Sequence, residues 1–244
     1  MNTKTRKQRD FEKREKLFIE IAREILLKNG IDTLTMEQVA DKAEYSKGTL
    51  YKHFSCKEDL VAAICNNALS NLAKLMQIAQ SYPGLSRDKI VATLAAYGIY
   101  AEKFPEEFEI IFASRSTDLL AKASEERQEI YNQIESQILG ALQSTTSLGI
   151  EEGNLELPDG LTIDQICFGT WALSFGTYTL SEAEGLETSL QLPATEEMLF
   201  RLSMLLFDGY QWRPFSYEKD YISLAAEAAE YVAKNYQDYL AQLD

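Results

Sequence analysis

From Tyr45 to Lys57 the chain carries no carboxylate, while Lys47, Lys52 and Lys57 supply ammonium groups and Ser46, Thr49 and Tyr51 supply hydroxyls. Such a set donates hydrogen bonds to oxygen acceptors, either the anionic oxygens of phosphate or the acceptor edges of bases. Leu50 and Phe54 stand one helical turn apart in the same stretch. A helix here buries those two and turns Lys47, Gly48, Thr49, Tyr51, Lys52 and His53 outward. Gly48, having no side chain, lets the backbone come close to whatever is bound.

Two short helices must hold this ridge. Thr35 opens the first, with Gln38 three residues on completing a capping-box pattern, and Met36, Val39 and Ala40 form its apolar edge. Ser46 caps the second, which the pattern carries to His53 or Phe54. Neither is long enough to fold alone, so a third wall is needed. The helix expected over Asp10 to Lys28 provides it, with Phe11, Leu17, Phe18, Ile21, Ala22, Ile25 and Leu26 at helical spacing and Asn29-Gly30 as the stop. A long helix follows from Lys57 to about Gln80, broken by Tyr82-Pro83-Gly84. Further helices are expected from Ser86 to Phe104, from Pro105, from Asp118 to Ser147, from Thr162 to Ala183, from Thr195 to Trp212 and from Ser216 to Gln242. The fold class is all-α, and the division expected along the chain is 1–56, with a basic tail over 1–9, a connecting helix 57–82, and a larger helical domain 83–244.

The formal net charge of −14 is unevenly spread. Residues 1–60 hold 13 basic and 11 acidic side chains, and the remainder holds 11 and 27. Phosphate binding needs local positive charge and not a basic total. Lys4, Arg6, Lys7 and Arg9 add a basic arm ahead of the first helix. No apolar run approaches the roughly 18 residues of a membrane helix, and the charged N-terminus is no signal peptide, so a cytoplasmic, non-membrane protein is expected. Three cysteines without a CxxC and a single histidine argue against a zinc site or a disulfide framework, and no metal or cofactor is expected. Nucleotide-binding glycine loops, nucleophile elbows and HExxH are all missing, so an enzyme is not expected.

The segment Thr35 to Leu60 resembles the DNA-binding domain of the tetracycline-repressor (TetR) family. That family places Thr at the start of the second helix, Ala-Gly-apolar-Ser at the turn, Gly-Thr-apolar-Tyr-x-(His/Tyr)-Phe in the recognition helix and Lys-Glu-x-Leu at the start of the fourth. Here these read Thr35, Ala43-Glu44-Tyr45-Ser46, Gly48-Thr49-Leu50-Tyr51-Lys52-His53-Phe54 and Lys57-Glu58-Asp59-Leu60. Glu44 stands where the family has Gly, at a turn that calls for a left-handed residue. The resemblance implies that Thr35, Tyr51 and Lys57 hold phosphates and that Lys47, Thr49 and Lys52 face base edges or nearby phosphates. It places His53 at the groove wall, with Ser46 and Gly48 completing the contact set.

The resemblance further implies a homodimer on a palindromic operator in double-stranded DNA, with the two penultimate long helices pairing across the two-fold axis. Interface candidates are Phe168, Gly169, Ala172 and Gly176 on one and Leu199, Leu202 and Leu206 on the other. It also implies a cavity for a small-molecule effector, hydrophobic or amphipathic, among central aromatics: Tyr97, Tyr100, Phe104, Phe108, Phe112, Tyr131, Trp171, Phe175 and Tyr178. The function expected is a ligand-responsive regulator, by default a repressor. The alternative is a DNA-binding regulator or architectural factor controlled by a protein partner without a small ligand. Cys56, between Lys52 and Lys57, would suit a redox sensor, although an inert thiol is the simpler reading.

Overall fold

The computed structural model describes residues 5–242 apart from 116, 117, 159, 182 and 184, and leaves the side chains of 112–115 and 187 outside the description. Lys4 of the basic arm and the Phe112 side chain therefore fall outside it. Among the described residues the chain is helical with no strand, and none of its helices is long and apolar enough to cross a membrane. Two compact units emerge, the first from residues 1–70 and 106–134, the second from 71–105 and 135–244.

In the first unit, α1 (Arg6–Asn29) is capped by Thr5, whose hydroxyl accepts from the Gln8 N–H, and ends at Gly30, whose N–H bonds the Leu26 carbonyl. Arg6, Lys7 and Arg9, expected in an arm, are instead exposed first turns of this helix. Its apolar stripe, Phe18, Ile21, Ala22, Ile25 and Leu26, is buried. α2 (Met36–Lys42) packs against α1, and α3 (Lys47–Leu50) packs against α2. With the turn after α3 and the first part of α4 (Lys57–Gln80) they supply the core residues Val39, Ala40, Leu50, Phe54 and Leu60, all fully buried. Burying a Leu or Phe side chain contributes roughly 1.5–3 kcal/mol.

The unit is completed by a return of the chain: α6 (Pro105–Arg115), a 3₁₀ turn (Leu120–Lys122) and the start of α7 (Glu125–Glu151). The helix expected from Asp118 begins only at Glu125, because Ser124 acts as its cap: the Ser124 carbonyl accepts from the Gln128 N–H and its hydroxyl from the Arg127 N–H. Division by chain order, into 1–56, 57–82 and 83–244, does not capture this return.

In the second unit, α11 (Tyr221–Leu240) lies along α5 (Ser86–Lys103), and α10 (Thr195–Gly209) packs on α8 (Ile163–Ser181), with a short α9 (Leu186–Leu190) between the latter two in sequence. The stripe Tyr221, Leu224, Ala228, Val232 and Tyr236 is the buried face of α11, at spacings of three and four. Ser86 is the first residue of α5 and is buried, its hydroxyl accepting from the Trp212 indole N–H at 3.1 Å. Gly149 of α7 lies so close to that indole that a Cβ would stand 2.9 Å from its nitrogen, which excludes any larger residue without movement.

Candidate nucleic-acid interface

Local hydrogen bonds shape the ridge. The Thr35 hydroxyl accepts from the Gln38 N–H at 3.2 Å, and the Gln38 amide oxygen accepts from the Thr35 N–H at 3.0 Å, which closes the capping box on α2. At the other end Glu44 adopts a left-handed φ of 58°. Its N–H bonds the Asp41 carbonyl at 3.1 Å and the next N–H, of Tyr45, bonds the Ala40 carbonyl at 3.0 Å. This is a Schellman motif, whose left-handed residue is usually Gly. The turn therefore has the geometry that the TetR pattern expects, with a side chain forced into it.

Ser46 then caps α3, its hydroxyl accepting from the Thr49 N–H at 3.2 Å and lying 2.9 Å from the Thr49 hydroxyl. The helix proper stops at Leu50, and tight turns carry the chain to Phe54: the N–H groups of His53 and Phe54 both bond the Leu50 carbonyl. Lys47, Gly48, Tyr51 and Lys52 are exposed, Tyr51 by 51%, and Thr49 is half-buried. Ser46 and Thr35 are exposed as well. The structure thus exposes six of the nine expected contact residues on the two short helices, their caps and the turn after them, with Thr49 half-buried among them.

Two behave differently. His53, expected to face outward, turns in: its side chain is 1% exposed and its ring stacks on Phe11 at 3.8 Å and meets Phe18 edge-on at 5.3 Å. The aromatic faces of Phe11 and Phe18 on α1 give the imidazole stacked and edge-on partners in place of solvent. Burial pushes the His53 ring below its usual pKa, against the pull of Glu15, whose carboxylate lies 3.5 Å from Nδ1. Lys57 is half-buried, and its ammonium donates to the carbonyls of Ile31 (3.1 Å) and Asp32 (3.4 Å). It thereby ties the start of α4 to the turn after α1. Lys47 also has a partner, the Glu37 carboxylate at 2.7 Å, which raises its pKa through the hydrogen bond. Both side chains are exposed, so the pair is easily exchanged for a phosphate.

Beneath the ridge is a second layer that spacing did not reveal. Asp59 of α4 accepts from the Ser55 N–H at 2.9 Å and from the Ser124 hydroxyl and N–H at 2.5 and 3.1 Å. Burial pushes this carboxyl up, but the bonds from Ser124 and Ser55, with Arg127 nearby, leave it below its ordinary range. Arg127 pairs with Glu15 at 2.6 Å. These partners are far apart in sequence, and the helix expected from Asp118 runs through Ser124 without marking it as a cap.

The expected effector residues do not form one describable set. Phe108 and Tyr131 belong to the first unit, while Tyr97, Tyr100, Phe104, Trp171, Phe175 and Tyr178 belong to the second. There Tyr97 faces Tyr178 at 5.6 Å, Tyr100 faces Phe104 at 5.6 Å and Trp171 faces Phe175 at 5.9 Å. Burial pushes the Tyr178 phenol well above its usual pKa. An open groove of about 550 Å³ on the second unit is lined by other residues, Gln143, Ser147, Leu157, Leu161, Thr162, Ile163 and Asp164. Among the described residues no cluster of His, Cys, Asp or Glu is placed to hold a metal ion.

The interface candidates also divide. Phe168 is 62% exposed, Ala172 and Leu202 are exposed, and Gly176 and Leu206 are half-buried. Leu199, in contrast, is 3% exposed, packed inside its own chain and closed to a partner. Gly169 faces inward contact too: a Cβ there would stand 2.5 Å from the Tyr210 hydroxyl. Leu205, not anticipated, is 70% exposed.

Residues 11–64 match the profile of the bacterial regulatory proteins of the tetR family. The HTH-type transcriptional activator FasR of Mycolicibacterium smegmatis is 31% identical over 101 residues, which are 41% of this chain and 46% of that protein, so the chain spans about half the length of this curated relative. Among solved structures, a bacterial regulatory protein in the tetR family from Rhodococcus RHA1 superposes with a TM-score of 0.62 at 15% identity, covering 80% of this chain and 96% of the other. FadR of Bacillus subtilis, solved in complex with stearoyl-CoA, superposes with a TM-score of 0.57 at 18% identity, covering 78% and 96%. At such identities the structural likeness establishes the fold. The sequence match is confined to the capped ridge and the helices that hold it: residues 11–64 are similar to the N-terminal domain of the tetR family of bacterial regulatory proteins.

Proposed function

We propose that the chain is a DNA-binding transcriptional regulator that grips a palindromic operator as a homodimer and releases it when a small hydrophobic or amphipathic molecule enters the second unit. The observation that carries this reading is the exposed ridge of Ser46, Lys47, Gly48, Tyr51 and Lys52 on a fully capped helix-turn-helix. A single such ridge makes too few contacts for useful specificity, and a two-fold pair doubles them on half-sites about one helical turn apart. Phe168 on α8 and Leu202 and Leu205 on α10 leave apolar surface for a second copy to cover. Thr35, Tyr51 and Lys57 are assigned to phosphates, Lys47, Thr49 and Lys52 to base edges or adjoining phosphates.

The effector class is supported by a structural neighbour that was solved with stearoyl-CoA, and by the aromatic side chains of α5 and α8. The proposed sign is repression, although the relative FasR is named an activator. Selection of bound duplexes from a random pool, followed by sedimentation of the complex and titration with acyl-CoAs and fatty acids, tests the reading. Two subunits on a palindrome, displaced by an amphiphile, are expected. A lone subunit with no preferred duplex overturns it. Preferred DNA that no amphiphile releases favours control by a protein partner.

A further inference from the structure

The recognition segment is short. α3 has a single turn of helix, and its own hydrogen bonds do not hold it at a fixed angle. Leu50 and Phe54 anchor it in the core, and between them stands His53, the chain's one histidine, which adds a contact to α1. The ring stacks on Phe11 at 3.8 Å, and Nδ1 lies 3.5 Å from one Glu15 oxygen. The other Glu15 oxygen accepts from Arg127 Nη2 at 2.6 Å. The Arg127 guanidinium also sits 5.4 Å over the Phe54 ring, next in sequence to His53.

Arg127 is itself held. It lies in the first turn of α7, where Ser124 bonds Asp59 and the Asn66 amide donates to the Arg127 carbonyl at 3.1 Å. The line therefore runs from α4 through the start of α7 to α1 and into the recognition segment, all within the first unit. We propose that Arg127 is a positioning residue for DNA recognition: by holding Glu15 it keeps the His53 ring seated on α1, and so sets the angle at which Lys47 to Lys52 meet the duplex. This rests on the DNA-binding reading above. The charged groups that face His53 are Arg14 and Glu15 from α1 and Arg127 from α7. The two arginines oppose protonation of the ring and Glu15 favours it.

The test uses the full chain, an operator taken from random-duplex selection, and three variants, Arg127→Met, Arg127→Lys and Glu15→Gln. Fluorescence anisotropy at one salt concentration reads affinity. Proton NMR reads the titration of the single histidine ring. Arg127→Met is expected to weaken operator binding about tenfold, with most of the loss recovered in Arg127→Lys. The His53 midpoint is expected to rise in Arg127→Met and fall in Glu15→Gln, opposite shifts that a merely packing role does not produce. Glu15→Gln, nearly isosteric, keeps the test available if Arg127→Met does not fold. Folded variants that bind within about twofold of the parent, or an unmoved histidine midpoint, overturn the proposal. A parent protein that selects no duplex overturns the DNA-binding reading first, before any variant is compared.

Discussion

The Arg87 guanidinium, fully buried at the start of α5, donates to the Asp208 carboxylate at 2.6 Å and to the Trp212 carbonyl, so one side chain joins α5 to the end of α10. Asp208 also accepts from the Ser216 N–H at 3.0 Å and from its hydroxyl. A buried cation left without its carboxylate is costly, about 3 kcal/mol or more. Asp208→Ala is expected to lower the stability of the second unit by that order, read as a reduced urea midpoint with Trp212 fluorescence as the probe. An unchanged midpoint means the pair contributes nothing.

Acid should weaken the protein in two steps. His53 has a pKa lowered by burial, so its contribution is complete above about pH 6.5, the ordinary value, and is lost as pH falls through the lowered one. For Asp59 and Asp208, burial pushes upward, but hydrogen bonds from Ser124 and Ser216 outweigh it and leave both carboxyls low. Their contribution is present above about pH 3.9 and is lost below it. Thermal melts from pH 7.5 down to pH 3 should show both declines. His53→Phe, which keeps a ring on Phe11, should remove the first alone.

Glu44 holds a left-handed φ of 58° at the C-terminal end of α2. For a residue with a Cβ this costs roughly 1–2 kcal/mol, partly offset in glycine by the greater entropy of its unfolded chain. Glu44→Gly is expected to stabilise the first unit by up to about 1 kcal/mol without loss of operator affinity. A lower melting temperature in that variant would show that the turn is not strained.

Lys52 is exposed on the ridge without a carboxylate in the same stretch of chain. If it meets a phosphate, Lys52→Ala weakens binding to all duplexes alike and lowers the slope of log affinity against log salt by about one. If it reads a base, the loss falls on one operator position. Lys57→Ala carries a further consequence, because its ammonium bonds Ile31 and Asp32: a lower melting temperature should accompany any loss of affinity.

Phe168 and Leu205 keep most of their surface in solvent on α8 and α10. Charging them, as in Phe168→Glu with Leu205→Glu, should convert a dimer to monomers in sedimentation while leaving the helix content intact. Persistence of the dimer would move the interface elsewhere on the chain.

Much of the first domain was legible because its determinants are local. Thr35 and Gln38, or Ser46 and Thr49, are three residues apart, and caps at that spacing form wherever the helix does. The bounds of α4, Lys57 to Gln80, follow in the same way from the break at Pro83 and Gly84. What the chain order could not contain is which faces meet. His53 has the same neighbours in sequence whether it points to solvent or to Phe11, and a stacked ring 42 positions away decides it. Leu199 and Leu205 lie on one helix and are equally apolar, yet one is inside and the other outside. Arg127 reaches Glu15 only because residues 106–134 fold back on the first helices. Residue types and periodicity determined the helices, their caps and the cationic ridge. Tertiary packing alone decided which side chains of that ridge stay exposed, because burial depends on partners far along the chain and pattern encodes only those nearby.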